Sequence, residues 1–199
     1  MSKFKKLNKS FFQKNTILVA KNLLSKYLVL KNGKNIISGK IVETEAYRGE
    51  NDLACHASKG RTKRTELLYQ CPGTIYVYFI YGMYYCLNIV TEKKDFPSAV
   101  LIRAIEPKEG IELMIRKRKT KNIFNLTSGP GKLCQAFGID KKFHGKNIFG
   151  DKIFIEDRGE KLSRKNIISA KRVGVDYAGV CKDYRWRFYI KNNKFISKY

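Results

Sequence analysis

Apolar residues recur along the chain in two rhythms. In "NTILVAKNLLSKYLVL" an Asn15–Thr16 start precedes Ile17, Leu18, Ala20, Leu23 and Leu24 at the spacing of one helix face, which predicts a helix running into a strand near Tyr27–Leu30. The Asn-Gly pair of "KNGKN" predicts a turn, and "IISGKIVETEAY" resumes as a strand beyond it. "IYVYFIY" and "MYYCLNIV" predict a hairpin that turns at Gly82, with Tyr76 and Tyr78 on one face and Tyr81 at or near the tip. Further on, "SAVLIRAIEP" predicts a strand and "KEGIELMIRKRK" a helix. "LTSGPGKLCQAFGI" predicts a helix capped by Thr127 or Ser128, with Pro130 in its first turn. "IFIEDR", "RVGVDYAGV" and "RWRFYIK" read as short strands. From Arg48 to Cys71 the chain is polar and irregular, too long to be a connector without purpose.

Strands and helices mix without βαβ regularity. The pattern predicts an α+β fold: one domain over residues 1–199, a mixed, largely antiparallel β-sheet, surrounding helices and a protruding β-hairpin. With 199 residues, 43% of them hydrophobic, the chain can bury one sizeable core. No internal repeat interrupts it.

Charge changes the picture. Forty-one Lys and Arg against 17 Asp and Glu give +24, far beyond the magnitude of about 2–8 that keeps a small domain soluble. A polyanion such as nucleic acid is the partner this favours, although a lysine-rich composition also follows from an AT-rich genome. The five cysteines are widely spaced, with no C-x-x-C pair and only two histidines beside them, so neither a disulfide framework nor a metal site follows. No apolar run of about 18 residues suggests a membrane span, and no leader pattern follows the basic start, so a cytoplasmic protein is expected, at the nucleoid if the cell is bacterial.

Candidate chemistry begins in "KIVETEAY". Strand alternation puts Glu43, Glu45 and Tyr47 on one face, which is either a solvated edge or a carboxylate and an aromatic facing one space. Arg103 stands in an apolar strand, where a guanidinium is costly unless it meets an anion; Glu45 or Glu43 is the natural partner. Such a neighbour favours an ionised carboxylate able to serve as a general base on water. Tyr76, Tyr84 and Tyr85 are most simply core and sheet residues. Tyr81, at a hairpin tip on a basic protein, is placed to pry base steps apart. The helix start near Gly131 and Lys132 could hold a phosphate, and Lys59, Arg61, Lys63 and Arg64 form a basic run that is either DNA-facing or merely solvated.

In chain order, "IVETEAY", "CHASKGRTKRTE", "PGTIYVYFIYGMYYCLNIV", "VLIRAIEP", "SGPGKLCQA" and "RVGVDYAG" resemble the signature segments of the 3-methyladenine (alkyladenine) DNA glycosylase family, over about residues 11–191. The resemblance implies that Glu45 activates the attacking water and Arg103 helps hold it. It implies that Tyr47, His56 and Tyr78 sandwich and contact an extruded base. Asn88 would exclude guanine, and Tyr81 would fill the gap in the duplex. It further implies a monomer acting on double-stranded DNA with damaged purines: 3-methyladenine, and by extension 7-methylguanine, hypoxanthine or ethenoadenine. Neither cofactor nor metal is implied, and no strand cleavage. The competing reading is a non-catalytic nucleic-acid-binding module in which the tyrosines form a stacking platform.

Overall fold

A computed structural model describes residues 4–198. In chain order come β1 (Lys5–Lys6), α1 (Lys9–Phe12), α2 (Thr16–Leu23), β2 (Tyr27–Asn32), β3 (Asn35–Arg48), β4 (Ile75–Ile80), β5 (Tyr84–Val90), β6 (Ser98–Glu109), α3 (Ile111–Arg118), α4 (Pro130–Phe137), β7 (Ile153–Asp157), β8 (Ile167–Ala170) and β9 (Arg187–Ile190). Single 3₁₀ turns fill several connections, including His56–Lys59 and Glu66–Tyr69.

The sheet runs β1-β7-β2-β3-β6-β5-β4, and all its ladders are antiparallel. β9 pairs with β3 at Glu43–Glu45 and with β8. This is the predicted α+β class, and the protruding hairpin is β4–β5. The core gathers the apolar residues of β2, β3, β5 and β6 with Val19, Ala20 and Leu23 of α2 and Leu133, Ala136 and Phe137 of α4. Thr44 donates its hydroxyl to the Ala20 carbonyl (2.9 Å), so α2 covers the face of β3 opposite Glu43 and Glu45.

β3 and β6 share the longest ladder, and it is irregular where it matters. Ile41 faces Ile105, Glu43 faces Ala104 and Thr44 faces Ile102, which leaves Val42 and Arg103 without opposite numbers. Bulges of this kind re-aim side chains locally, and here they set Arg103 against the two glutamates.

Two expectations fail. "RVGVDYAGV" is not a strand: Gly174 and Gly179 adopt left-handed φ (75° and 51°), which extended pairing excludes, and the neighbouring strand is Ile167–Ala170. Nor is α4 capped by a hydroxyl. Gly129 is its N-cap, and the buried Thr127 hydroxyl instead donates to the Ile105 carbonyl, tying the loop to β6.

Candidate active site

Beneath β4–β5 lies a cavity of about 360 Å³ lined by Tyr47, His56, Tyr76, Tyr78, Asn88 and Arg103 among others. Its volume falls in the small-ligand range. Glu45 is fully buried and lies behind three cavity-lining residues, Tyr47, Arg103 and Val173, each of which donates to it. The Val173 amide donates to Oε1 (2.9 Å), Arg103 Nη1 lies 3.3 Å from Oε1, and the Tyr47 hydroxyl donates to Oε2 (2.8 Å). Burial, then the Glu45 charge, push the Tyr47 phenol well above its usual range, so it stays protonated and always donates.

Arg103 is itself clamped. Nε lies 3.3 Å from Glu43 Oε1, and Nε and Nη2 reach Ser197 Oγ at 3.3 and 3.1 Å. Glu43 in turn accepts from Arg187 Nη1 (2.9 Å) and the Ser197 amide (2.7 Å). Burial works against the Arg103 charge, but Glu45 and Glu43 more than offset it and raise its pKa. Both partners anticipated from sequence are therefore engaged at once.

The aromatic walls are ordered by one another. His56 meets Tyr78 edge-on (centroids 4.6 Å apart, 76°), and its Nδ1 lies 2.9 Å from the Tyr76 hydroxyl. Burial first, then the charge of Arg64, lower the His56 pKa to about 4, so the imidazole is neutral near pH 7. Asn88 directs its amide nitrogen to the carbonyls of Tyr76 (3.2 Å) and Cys86 (3.4 Å), which accept only and so fix the amide's orientation. Tyr81 is 81% exposed in the turn of β4–β5, which the Met83 amide closes onto the Ile80 carbonyl. Tyr81 and Gly82 both have left-handed φ (52° and 65°), as a tight hairpin turn demands.

Of the remaining tyrosines, Tyr85 leans on the core and stacks with Phe79, and Tyr84 lies exposed on β5 against Gly131. Tyr76 is a buried sheet residue that also walls the cavity. The basic candidates separate. Lys59, Lys63 and Arg64 are exposed. Arg61 is exposed too, but it holds Glu66 with Nε and Nη2 (2.8 Å each) and Asp95 with Nη1 (2.9 Å); Arg64 hydrogen-bonds to Tyr76, and Lys132 is engaged with Asn125.

Two contributors escaped the sequence reading. The Val173 amide reaches Glu45 from 128 positions away. Arg172, next to it, donates to both Asp52 oxygens (2.6 and 2.7 Å) and to the Ala46 and Cys181 carbonyls, with its guanidinium 4.9 Å and 5.2 Å from the ring centroids of Tyr47 and Trp186. Among the described residues no group of His, Cys, Asp and Glu could hold a metal ion, and no helix is long and apolar enough to cross a membrane.

A model of the methylpurine-DNA glycosylase (MPG) family matches residues 10–194. A protein of Clostridium perfringens (strain SM101 / Type A) is 51% identical, over 97% of this chain and 99% of its own. Others from Clostridium novyi (strain NT) and Methanocella arvoryzae are 48% and 47% identical, over 98% and 96% of this chain and 99% and 96% of theirs. All three carry names marking them as candidate 3-methyladenine DNA glycosylases. The buried carboxylate at an aromatic cavity thus sits in an enzyme of base-excision repair, a DNA glycosylase. More narrowly, the chain belongs to the methylpurine-DNA glycosylase family.

Proposed function

We propose that this protein extrudes an alkylated or deaminated purine from duplex DNA into the cavity under β4–β5 and hydrolyses its N-glycosidic bond. Glu45 takes a proton from a water, the water oxygen bonds to the anomeric carbon, and the purine leaves with the bonding electrons. An abasic site remains and the strand is not cut. The observation that carries this reading is Glu45 itself: fully buried, beside an aromatic cavity, with Oε1 occupied by two donors and Oε2 by one. A carboxylate oxygen accepts at two positions, so Oε2 keeps one for a water.

The magnitudes agree. Flipping a paired base costs a few kcal/mol, least for a damaged or mismatched one. Stacking on an aromatic returns about 1–3 kcal/mol per base, which Tyr47, Tyr78 and the Tyr81 wedge together supply. A cationic base such as 3-methyladenine leaves readily as a neutral molecule; a neutral base such as hypoxanthine also needs a proton. The rings line a concave cavity, which supports a pocket for one base over a flat stacking platform.

The test is release of 3-methyladenine from methylated duplex DNA, read by chromatography, with wild type and Glu45→Gln. Wild type should release the base. The variant should bind the same duplex and lose about 10²–10⁴-fold in rate, the usual share of a general base. Tight binding by wild type with no release over hours would refute the proposal.

A further inference from the structure

Tyr81 is not the only large apolar side chain displayed at the cavity. Tyr177 lines the cavity and is 70% exposed; Val180, three positions on, is 74% exposed, and Leu53, which abuts Gly179, is 48% exposed. They come from two loops that touch. Leu53 Cδ1 lies 3.3 Å from where a β-carbon on Gly179 would stand, and the Tyr177 hydroxyl reaches the Ala54 carbonyl at 3.5 Å.

What fixes these loops is unusual for an exposed patch. Asp52, next to Leu53, is buried and holds the buried Arg172 bidentately, and Arg172 also donates to the carbonyl of Cys181, next to Val180. Asp52 further accepts from the amides of Arg48 and Ala54 (3.2 Å each). Removing one partner of such a pair strands a buried charge. The patch is therefore presented by a rigid support, and isolated apolar residues on a soluble surface need none.

We infer that Leu53, Tyr177 and Val180 form a second docking platform for the DNA, packing on the sugar and base edges of nucleotides that flank the extruded purine. This rests on the glycosylase reading. The platform is continuous with the cavity through Tyr177, so a strand that delivers a nucleotide there passes over it. The whole chain, at +24, favours a polyanion, while beside the platform the charge is mixed: the exposed Lys182 flanks Val180 and the exposed Asp176 flanks Tyr177. The contact is apolar, so it adds affinity without releasing counterions. That separates it from the basic loop, where each phosphate contact steepens the salt dependence.

The experiment measures the Kd of wild type, Leu53→Ser/Val180→Ser and Lys63→Ala for a short duplex bearing an abasic-site analogue, across a salt series. Wild-type release of 3-methyladenine and sedimentation are run alongside. The double variant should bind about tenfold more weakly with the same slope of log K against log salt. Lys63→Ala should lower that slope by about one unit. An unchanged Kd for the double variant, or a Kd loss accompanied by a shallower slope, overturns the platform. So does a wild-type dimer that the double variant dissolves, which would make the occupant a second copy of this chain. Absence of base release by wild type would overturn the glycosylase reading alone, because the binding comparison still decides the platform.

Discussion

Replacing Tyr47 by Phe separates two jobs that one side chain performs. The ring that walls the cavity is kept, and only the hydroxyl that donates to Glu45 Oε2 at 2.8 Å is lost. A hydrogen bond to a charged group is worth about 1.5–3 kcal/mol. Converted at about 1.4 kcal/mol per factor of ten, this is a loss of about 10- to 150-fold in the chemical step. Two fixed donors on Oε1, from Arg103 and Val173, still hold the carboxylate, so the effect belongs at the low end if they suffice to orient it. Base stacking should not change, because an aromatic face remains. The assay is single-turnover release of 3-methyladenine with protein in excess, beside the Kd for the same duplex. The expected result is a rate at least tenfold lower with Kd within threefold of wild type. A rate within threefold of wild type, or a loss that lies wholly in Kd, would refute the argument.

Protonation of His56 offers a second measurement. Its pKa falls from 6.5 to about 4 on folding, so the unfolded chain binds the proton more readily; the stability this group contributes is complete above pH 6.5 and is lost as pH falls toward 4, about 3 kcal/mol in all. An NMR titration should place the imidazole midpoint below 5, and a midpoint near 6.5 would contradict the burial beside Tyr76, Tyr78 and Arg64. Arg172→Met leaves the Asp52 carboxylate buried and unpaired, at about 3–5 kcal/mol. For a chain of this length that lowers Tm by about 6–20 °C. Combining it with Asp52→Asn should recover part of the loss, and a single variant that melts within 2 °C of wild type would show the pair to be dispensable.

Much of the site was legible because it rests on side chains with strong local signals. Glu45 and Tyr47 stand two apart on a strand, and the alternation that predicted a shared face is seen as a hydrogen bond between them. Arg103 in an apolar strand demanded an anion and meets two. The hairpin followed from its apolar runs and Gly82, and its tip residue is the most exposed of the described tyrosines. The Val173 amide gave no such signal: a backbone group looks alike in every residue, and only the fold decides which one meets a carboxylate. Arg172 and Asp52 are far apart in sequence and unremarkable in composition, so their pairing depended on where the two loops come to rest. The misread "RVGVDYAGV" shows the same limit. Alternating Val and Gly satisfied a strand pattern, yet the glycines were needed for left-handed φ. Thr127 and Ser128 looked like caps by residue type, whereas the Thr127 hydroxyl was already committed to β6.

The three donors on Glu45 come from its own strand, from β6 and from the segment after β8, the last 128 positions downstream. A ribosome making this chain therefore finishes the glutamate long before it makes the group that completes its setting. Until the residues around Val173 have emerged and folded back, the glutamate has at most two of its three donors, Tyr47 and Arg103. On the proposed mechanism, a chain that ends before Val173 lacks one of the three groups that hold its base, Glu45.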